Sequence, residues 1–219
     1  MTAMPAPTLH PPFDPAPVVA ELAAADPELG RAMRRVGPVV RLAASRGTPF
    51  DALLRSIVYQ QLSGKAAGTI LGRVCALFPK SRPTPIGLAA TAPDLLRAAG
   101  LSRAKTLAVH DLAAKTLDGT IPRTTAGMHR LDEEEIIARL TAVRGVGRWT
   151  VEMFLMFRLG RPDVLPATDL GIQKGFAVAF GKRKLPMPAQ LLRRGERWRP
   201  WRTVASWYLW ALAEGGTRD

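Results

Sequence analysis

A short run of glycines and arginines has the residue types needed to bind an anion. The stretch LTAVRGVGRWT, residues 140–150, places Gly145 and Gly147 one residue apart, between Arg144 and Arg148. Glycines adopt backbone angles closed to other residues and keep side-chain atoms away from an approaching ligand. Amides at the start of the next helix, with two arginines beside them, are suited to a phosphate. A tight turn with a glycine helix cap is the competing interpretation.

A loop rich in glycine and proline carries two aspartates that are candidates for a helix cap or for chemistry. The loop LGRPDVLPATDLGIQKG carries Asp163 and Asp169, and Asp169 lies 20 residues after Trp149. One carboxylate can stabilise a developing positive charge, or it can take a proton from water. Asp169, or Thr168 beside it, could also cap the helix that starts at Leu170. Capping and catalysis are compatible, and Asp163 is the local competitor for the catalytic role.

Two tryptophans could form walls for a flat, cationic ligand, because electron-rich rings attract cations. Trp149 lies at the start of a helix, on the same face as Met153 and Met156. In the last helix, Trp210 lies on the opposite side of the helical wheel from the apolar stripe that contains Tyr208. A place in the core is the alternative for both tryptophans.

The segment YQQLS forms a corner between two predicted helices. It contains Tyr59, Gln60, Gln61 and Leu62, and Ser63 can cap the helix that follows. Two ordinary surface glutamines are the plain interpretation of this corner. The cations Lys65, Arg103 and Lys105 lie near helix starts and are candidate phosphate contacts, although solvated charge is the usual role of such residues.

The segments that position these residues have helical periodicity, and none alternates as a strand would. About ten helices are predicted, at 18–25, 27–36, from 48, from 63 to about 78, 91–100, 102–119, from 132, 148–160, 170–180 and about 200–214. Residues 1–17 are rich in proline and are expected to form a flexible tail. Breaks at 79–90 and 120–124 divide the helical region, 18–219, into two lobes. One lobe contains 50–120, and the other contains the hairpin, 132–160, with the chain ends.

Composition excludes several classes of protein. The 219 residues are 47% hydrophobic, and no apolar run approaches the ~20 residues of a membrane helix. The single cysteine, Cys75, excludes an internal disulfide and a cysteine-based metal cluster, and it fits a reducing intracellular compartment. The net charge of +13 favours an anionic partner, nucleic acid above all. Arginine enrichment in a biased genome is the alternative explanation of that charge.

Four blocks together resemble the helix-hairpin-helix DNA glycosylase superfamily, which also contains endonuclease III. The hairpin at 140–150 and the loop with Asp169 match the motifs of the superfamily. SIVYQQLSGKAA at 56–67 and RWRPWRTVASWYLWAL at 197–212 match the branch of the DNA-3-methyladenine glycosylase II type. The matching blocks span about 50–212, which is nearly all of the helical region.

The resemblance implies an all-α, two-lobed fold with a cleft between the lobes, without the N-terminal sheet lobe of longer members. It implies a monofunctional glycosylase of base excision repair that flips out alkylated purines, such as 3-methyladenine. Hydrolysis of the N-glycosidic bond would leave an abasic site. Bifunctional members carry a nucleophilic lysine two positions after the last hairpin glycine. In this chain that position is Trp149, which departs from the lyase pattern.

The resemblance also assigns roles to individual residues. Asp169 would be the catalytic residue, and Gln61 with Leu62 would intercalate into DNA. The base pocket would be formed by Trp149, Met153, Trp210, Gln60 and Tyr59, with Met153 in a position that is aromatic in the best-known member. DNA phosphates would be bound by Arg144, Gly145, Val146, Gly147, Arg148, Thr150 and Lys65.

The resemblance implies double-stranded DNA with a damaged base as the partner, without a membrane, and a monomer. It implies no organic cofactor and no iron–sulfur cluster. It allows Na⁺ or K⁺ at the hairpin when DNA is bound, held by the backbone carbonyls of Val143, Gly145 and Arg148. A cytoplasmic, nucleoid-associated protein of a bacterium is expected.

Two alternative functions stay open at this point. One is a non-catalytic helix-hairpin-helix protein that binds DNA and recognises damage. The other is a bifunctional glycosylase and lyase that acts on oxidised bases. Loss of base release with retained DNA binding on replacing Asp169, and trapping of a covalent adduct with borohydride, would separate these alternatives.

Overall fold

The computed structural model describes residues 15–38 and 47–215, and this part of the chain is all-helical. The described residues form thirteen α-helices and no strand, which confirms the all-α prediction. The helices are α1 (Pro15–Ala25), α2 (Pro27–Val36), α3 (Pro49–Tyr59), α4 (Gly64–Ala76), α5 (Pro85–Ala90), α6 (Pro93–Ala98), α7 (Arg103–Leu117), α8 (Thr125–His129), α9 (Glu133–Thr141), α10 (Arg148–Phe157), α11 (Leu170–Ala179), α12 (Pro188–Gly195) and α13 (Arg202–Ala213). Over these residues, no helix is both long and apolar enough to cross a membrane.

Side-chain caps fix where the helices near the candidate site begin. Thr48 and Asp51 form a reciprocal capping box at α3. The side chains of Ser63, Ser102 and Asp132 accept hydrogen bonds from the first turns of α4, α7 and α9. Each cap satisfies an amide that has no partner within its own helix. These four helix starts were predicted from the same residues.

Several predicted boundaries were wrong where proline begins a helix. Helix α1 starts at Pro15, so the predicted flexible tail overlaps the first three residues of this helix, while residues 1–14 lie outside the described residues. Within the predicted break at 79–90, Thr84 caps α5 and Pro85 occupies its first turn. Helix α12 also starts with a proline and was not predicted. Proline suits a first turn because that position needs no amide donor.

The chain divides into two compact units, each with its own core. In the described residues, unit 1 comprises 47–154, and unit 2 comprises 15–38 together with 155–215. The hairpin was predicted to belong with the chain ends, but the structure groups it with 50–120. The reason is local bonding: the Arg144 amide donates to Asp111 Oδ2 of α7 at 2.7 Å, and Gln60 Nε2 donates to the Gly145 carbonyl at 2.9 Å.

In unit 2, the close approach of α11 and α13 organises the core. A Cβ atom at Gly175 would lie 1.8 Å from the Leu209 carbonyl oxygen, so only glycine allows this approach. Ile172 and Phe176 of α11 and Tyr208 and Leu209 of α13 are buried in the same cluster. The packing places the start of α11 beside the second half of α13, where the predicted catalytic residue lies.

Candidate active site

The hairpin between α9 and α10 is anchored by buried apolar side chains. Leu140, Val143 and Val146 are all buried, and the Val146 amide donates to the Val143 carbonyl at 3.0 Å. Gly145 has a φ of 75°, which is the left-handed region that favours glycine. The turn therefore requires glycine at 145. Val146 anchors the hairpin through its buried side chain, and its amide is already bonded within the turn.

Gly147 is not required by the backbone conformation of the turn. Its φ is not positive, and a Cβ atom at this position would meet no other atom within 4 Å. In the described parts of the chain, the amides of Gly145, Gly147 and Arg148 have no assigned acceptor. Gly147 thus leaves open space in front of amides at the start of α10, which is the arrangement that suits an incoming phosphate.

The two hairpin arginines differ in their partners. The Arg148 guanidinium donates to Glu134 at 3.0 Å and to Glu152 at 3.3 Å. The hydrogen bond with Glu134 is the main cause that raises the pKa of Arg148. Arg144 has an exposed side chain without an ion pair in the described residues. The charge available to a phosphate is therefore that of Arg144, while Arg148 offers its amide.

Two further predicted phosphate contacts are placed differently from each other. Thr150 is 8% exposed, so its side chain is not presented at the surface where a phosphate would approach. Lys65 is exposed in the first turn of α4, as the prediction requires.

The corner after α3 is held on two sides. Lys105 Nζ donates to the carbonyls of Val58 and Gln60, each at 2.7 Å, and burial lowers the pKa of Lys105. Gln60 in turn donates through its side chain to Gly145, as described above. Lys105 was predicted as a phosphate contact and instead binds the end of α3. The two carbonyls at the end of α3 lack partners within their helix, and Lys105 reaches them from more than forty residues away in the sequence. Sequence spacing alone could not show this contact.

The residues at the tip of this corner project from it. Gln61 has a φ of 56°, an unusual value for a residue other than glycine, and is exposed. Leu62 beside it is also exposed, which is uncommon for a large apolar side chain in a fixed turn. Backbone bonding thus presents both predicted intercalating residues at the surface of unit 1.

Unit 1 also holds four of the five predicted base-pocket residues. Trp149 is 47% exposed in the first turn of α10, which argues against a place in the core. Met153, four residues later, is half-buried on the same helix face. Tyr59 is half-buried, and the Arg55 guanidinium lies 4.1 Å from the centre of its ring. The side-chain amide of Gln60 donates to the Gly145 carbonyl, so this bond stabilises the hairpin.

Asp169 is both a helix cap and a partner of Trp210. Its Oδ1 accepts a hydrogen bond from the Ile172 amide at 2.9 Å and from Trp210 Nε1 at 2.8 Å. The Trp210 ring stacks on Phe157, with ring centroids 5.7 Å apart. Trp210 was predicted as a pocket wall, and its indole N–H has a second role that the prediction missed. It fixes the orientation of the candidate catalytic carboxylate.

Asp163, the competing carboxylate, is occupied by arginines. Arg202 Nε donates to Asp163 Oδ1 at 2.6 Å, and Arg199 also pairs with this carboxylate. The Thr203 hydroxyl ties the same loop to α13 by donating to the Arg161 carbonyl at 2.6 Å. Asp163 therefore holds the loop on α13, and Asp169 is left as the candidate for chemistry.

Replacement of Gly171 by alanine is expected to displace the Asp169–Trp210 pair. A Cβ atom at 171 would lie 2.7 Å from Trp210 Cδ1 and 3.0 Å from Asp169 Oδ1. A shift of about 1 Å in a catalytic group can lower a rate by roughly 10²-fold. We expect a reduction of that order in the single-turnover rate of base release.

Gly72→Ala is the matched control for Gly171→Ala. A Cβ atom at Gly72, inside α4, meets nothing within 4 Å. This control is expected to keep the parent rate and to raise stability by about 1 kcal/mol through helix propensity. A parent-like rate in Gly171→Ala would show that the indole bond does not position Asp169.

The fold and these motifs define a class of protein. Residues 54–200 match the family model described as "HhH-GPD superfamily base excision DNA repair protein". Because that match covers more than half of the chain, the protein belongs to this superfamily.

Its relatives are more specific. The chain is 40% identical over 167 residues to DNA-3-methyladenine glycosylase 1 of Schizosaccharomyces pombe, covering 76% of this chain and 73% of that protein. A solved structure of the S. pombe 3-methyladenine DNA glycosylase in complex with abasic DNA has a TM-score of 0.76 at 35% identity, covering 90% of this chain and 96% of that chain. A crystal structure of the DNA-3-methyladenine glycosidase of Bacillus halodurans has a TM-score of 0.82 at 35% identity, covering 92% of this chain and 91% of that chain.

Proposed function

We propose that this protein is a monofunctional DNA glycosylase that removes alkylated purines, such as 3-methyladenine, from duplex DNA and leaves an abasic site. The observation that carries the proposal is the carboxylate of Asp169, oriented by the Ile172 amide and the Trp210 indole. Relatives at 35% to 40% identity are named as 3-methyladenine glycosylases, and this supports the substrate class.

The reaction needs little from the protein beyond one carboxylate. A purine alkylated at N3 or N7 is cationic, so it leaves readily with the electron pair of the N-glycosidic bond and becomes neutral. Asp169 stabilises the positive charge that develops on the sugar, and it accepts a proton as water forms the new bond to C1′. No acid has to protonate such a base.

Access to the bond requires the damaged nucleotide to leave the stack. The hairpin amides and Arg144 are suited to hold a DNA phosphate, with Lys65 as a further contact. Gln61 and Leu62 project where they could fill the gap in the duplex. Trp149 and Met153 supply a ring and a thioether that suit a cationic base, and Trp210 stays a predicted pocket residue.

The hairpin carbonyls could assist phosphate binding by holding Na⁺ or K⁺. The Val143 carbonyl already accepts a hydrogen bond from the Val146 amide and the Gly145 carbonyl one from Gln60, while the Arg148 carbonyl belongs to the first turn of α10. Each carbonyl oxygen has a second lone pair, so the set fits a weakly held monovalent ion. The ion would add positive charge beside the phosphate. This ion, the monomeric state and a bacterial cytoplasmic location stay predictions.

Product analysis tests the proposal directly. Duplex DNA treated with a methylating agent is incubated with the protein, and released bases are separated and identified by mass spectrometry. We expect free 3-methyladenine together with alkali-labile abasic sites. Binding without any released base would instead support the non-catalytic alternative.

Borohydride trapping addresses the lyase alternative. A Schiff base needs an amine, and Trp149 occupies the position of the lyase lysine. We therefore expect no covalent protein–DNA adduct on reduction with borohydride and no strand cleavage beyond that of untreated abasic DNA. A trapped adduct would contradict the monofunctional assignment.

A further inference from the structure

A basic cavity lies at the C-terminal end of α11, in unit 2. It has a volume of about 860 Å³, and Phe176 forms part of its wall. Its basic lining residues are Lys182, Arg183, Lys184, Arg193, Arg194 and Arg197. The cavity lies outside the site described above, since Asp169 caps the opposite end of α11. A helix of ten residues separates its ends by about 15 Å.

The charge of this cavity is largely uncompensated. Between 182 and 197 there are six basic residues and one acidic residue, Glu196, which is paired with Arg199. Arg194 is neutralised by Asp26 and Glu28.

The other five cations are exposed, and none has an ion pair within residues 15–38 and 47–215. Like charges gathered without acidic partners repel one another, and an anion that binds among them relieves this repulsion.

We propose that this cavity is a second binding surface for the phosphate backbone of duplex DNA, separate from the hairpin. Duplex DNA carries one charge per about 1.7 Å of its axis, so several phosphates can be engaged by a cluster of this size. Arginine forks match phosphate oxygens, and three of the five unpaired cations are arginines. The proposal rests on the proposed function in one respect, because it takes DNA as the polyanion that this protein meets.

The surface provides affinity that does not depend on sequence or damage. Phosphate contacts position a protein on DNA and carry no base information. Removing them is therefore expected to weaken binding to undamaged DNA and to leave the bond-breaking step unchanged.

A triple variant, Arg183→Gln/Arg193→Gln/Arg197→Gln, tests this role. Its affinity for a short undamaged duplex is measured by fluorescence anisotropy over a range of salt concentrations. Each lost phosphate contact lowers the slope of log affinity against log salt by about 0.9. We expect the slope to fall by roughly 2 to 3 and the affinity at low salt to fall by at least about 10-fold.

The matched control is Arg31→Gln/Arg34→Gln/Arg35→Gln on α2. These arginines are also exposed in unit 2 and without ion pairs in the described residues, so the same net charge is removed elsewhere. A much smaller loss in this control supports a local site. Equal losses in both variants would show general electrostatic attraction only and overturn the proposal.

Two further measurements separate the possible outcomes. With enzyme in excess at saturation, the cavity variant should release base at the parent rate, whereas a slower step would place the cavity in the chemistry. If the parent itself released no base, the proposed function would fail while the anisotropy result would still report on the cavity. Unchanged duplex affinity with lost binding to poly-glutamate would point to an acidic protein partner and overturn the assignment to DNA.

Discussion

The variant Asp169→Asn is expected to fold and to bind duplex DNA like the parent, but to release alkylated purines about 10²- to 10⁴-fold more slowly. Both described donors to this side chain, the Ile172 amide and Trp210 Nε1, meet the same oxygen, Oδ1. Asparagine offers an equivalent oxygen and is as good a helix cap as aspartate. The substitution therefore removes negative charge and basicity while keeping the two bonds.

Single-turnover kinetics with enzyme in excess measure the relevant step, because substrate binding and product release then drop out of the rate. Thermal unfolding checks that α11 remains capped. The alanine variant is less informative, since loss of the cap alone costs about 1 kcal/mol.

Asp163→Asn is the control from the same loop. The carboxylate of Asp163 pairs with Arg199 and Arg202, so this variant should lose stability and keep its rate per folded molecule. The opposite pattern, with a slow Asp163→Asn and a parent-like Asp169→Asn, would move the catalytic role to Asp163.

The hairpin shows how far local sequence could specify the site. Its position and its buried anchors, Leu140 and Val143, were predicted from one stretch of eleven residues and are confirmed, while phosphate binding by its amides stays a prediction. The different roles of its two glycines were not predicted. Gly145 adopts a positive φ that favours glycine, and Gly147 leaves open space in front of the amides. Nor could spacing show that Glu134, fourteen residues away, occupies the Arg148 guanidinium. Such pairing depends on how the helices meet.

The contact between Trp210 and Asp169 also could not be predicted from the sequence. The helical wheel indicated that this side chain faces away from the main apolar stripe. Its bond to Asp169 spans 41 positions in the sequence. That bond exists because Gly171 and Gly175 let α13 approach α11 closely. The glycines were visible in LGIQKG, but helical periodicity alone could not reveal the helix they face.

The variant Asp26→Asn is expected to lower the free energy of unfolding by roughly 3 to 5 kcal/mol. Asp26 is fully buried and accepts four hydrogen bonds. Its Oδ1 accepts from the Leu29 amide and Arg194 Nη2, while Oδ2 accepts from Arg194 Nε and Trp198 Nε1. Asparagine has one acceptor oxygen, so its amino group would face donors in a buried place.

Urea unfolding of Asp26→Asn and of Glu28→Gln provides the comparison. Glu28 is exposed and binds the same arginine, so its variant should change the free energy of unfolding by about 1 kcal/mol or less. Similar decreases in the free energy of unfolding in the two variants would contradict this prediction. They would show that Arg194 needs only a nearby negative charge, and that the buried hydrogen bonds of Asp26 add no further stability.

The pH dependence of this difference follows from the same network. Burial alone would raise the pKa of the Asp26 carboxyl, but the hydrogen bonds from Arg194, Trp198 and the Leu29 amide outweigh it, and the pKa lies below its usual value. Stabilisation by a carboxylate with a lowered pKa is present above the pKa of the unfolded chain, and it is lost as pH falls through the folded pKa. The gap between the parent and Asp26→Asn should therefore stay constant near neutral pH and shrink below about pH 4. Urea midpoints at neutral pH and near pH 3 measure it, and a gap of the same size at both would contradict the role assigned to the ionised carboxylate.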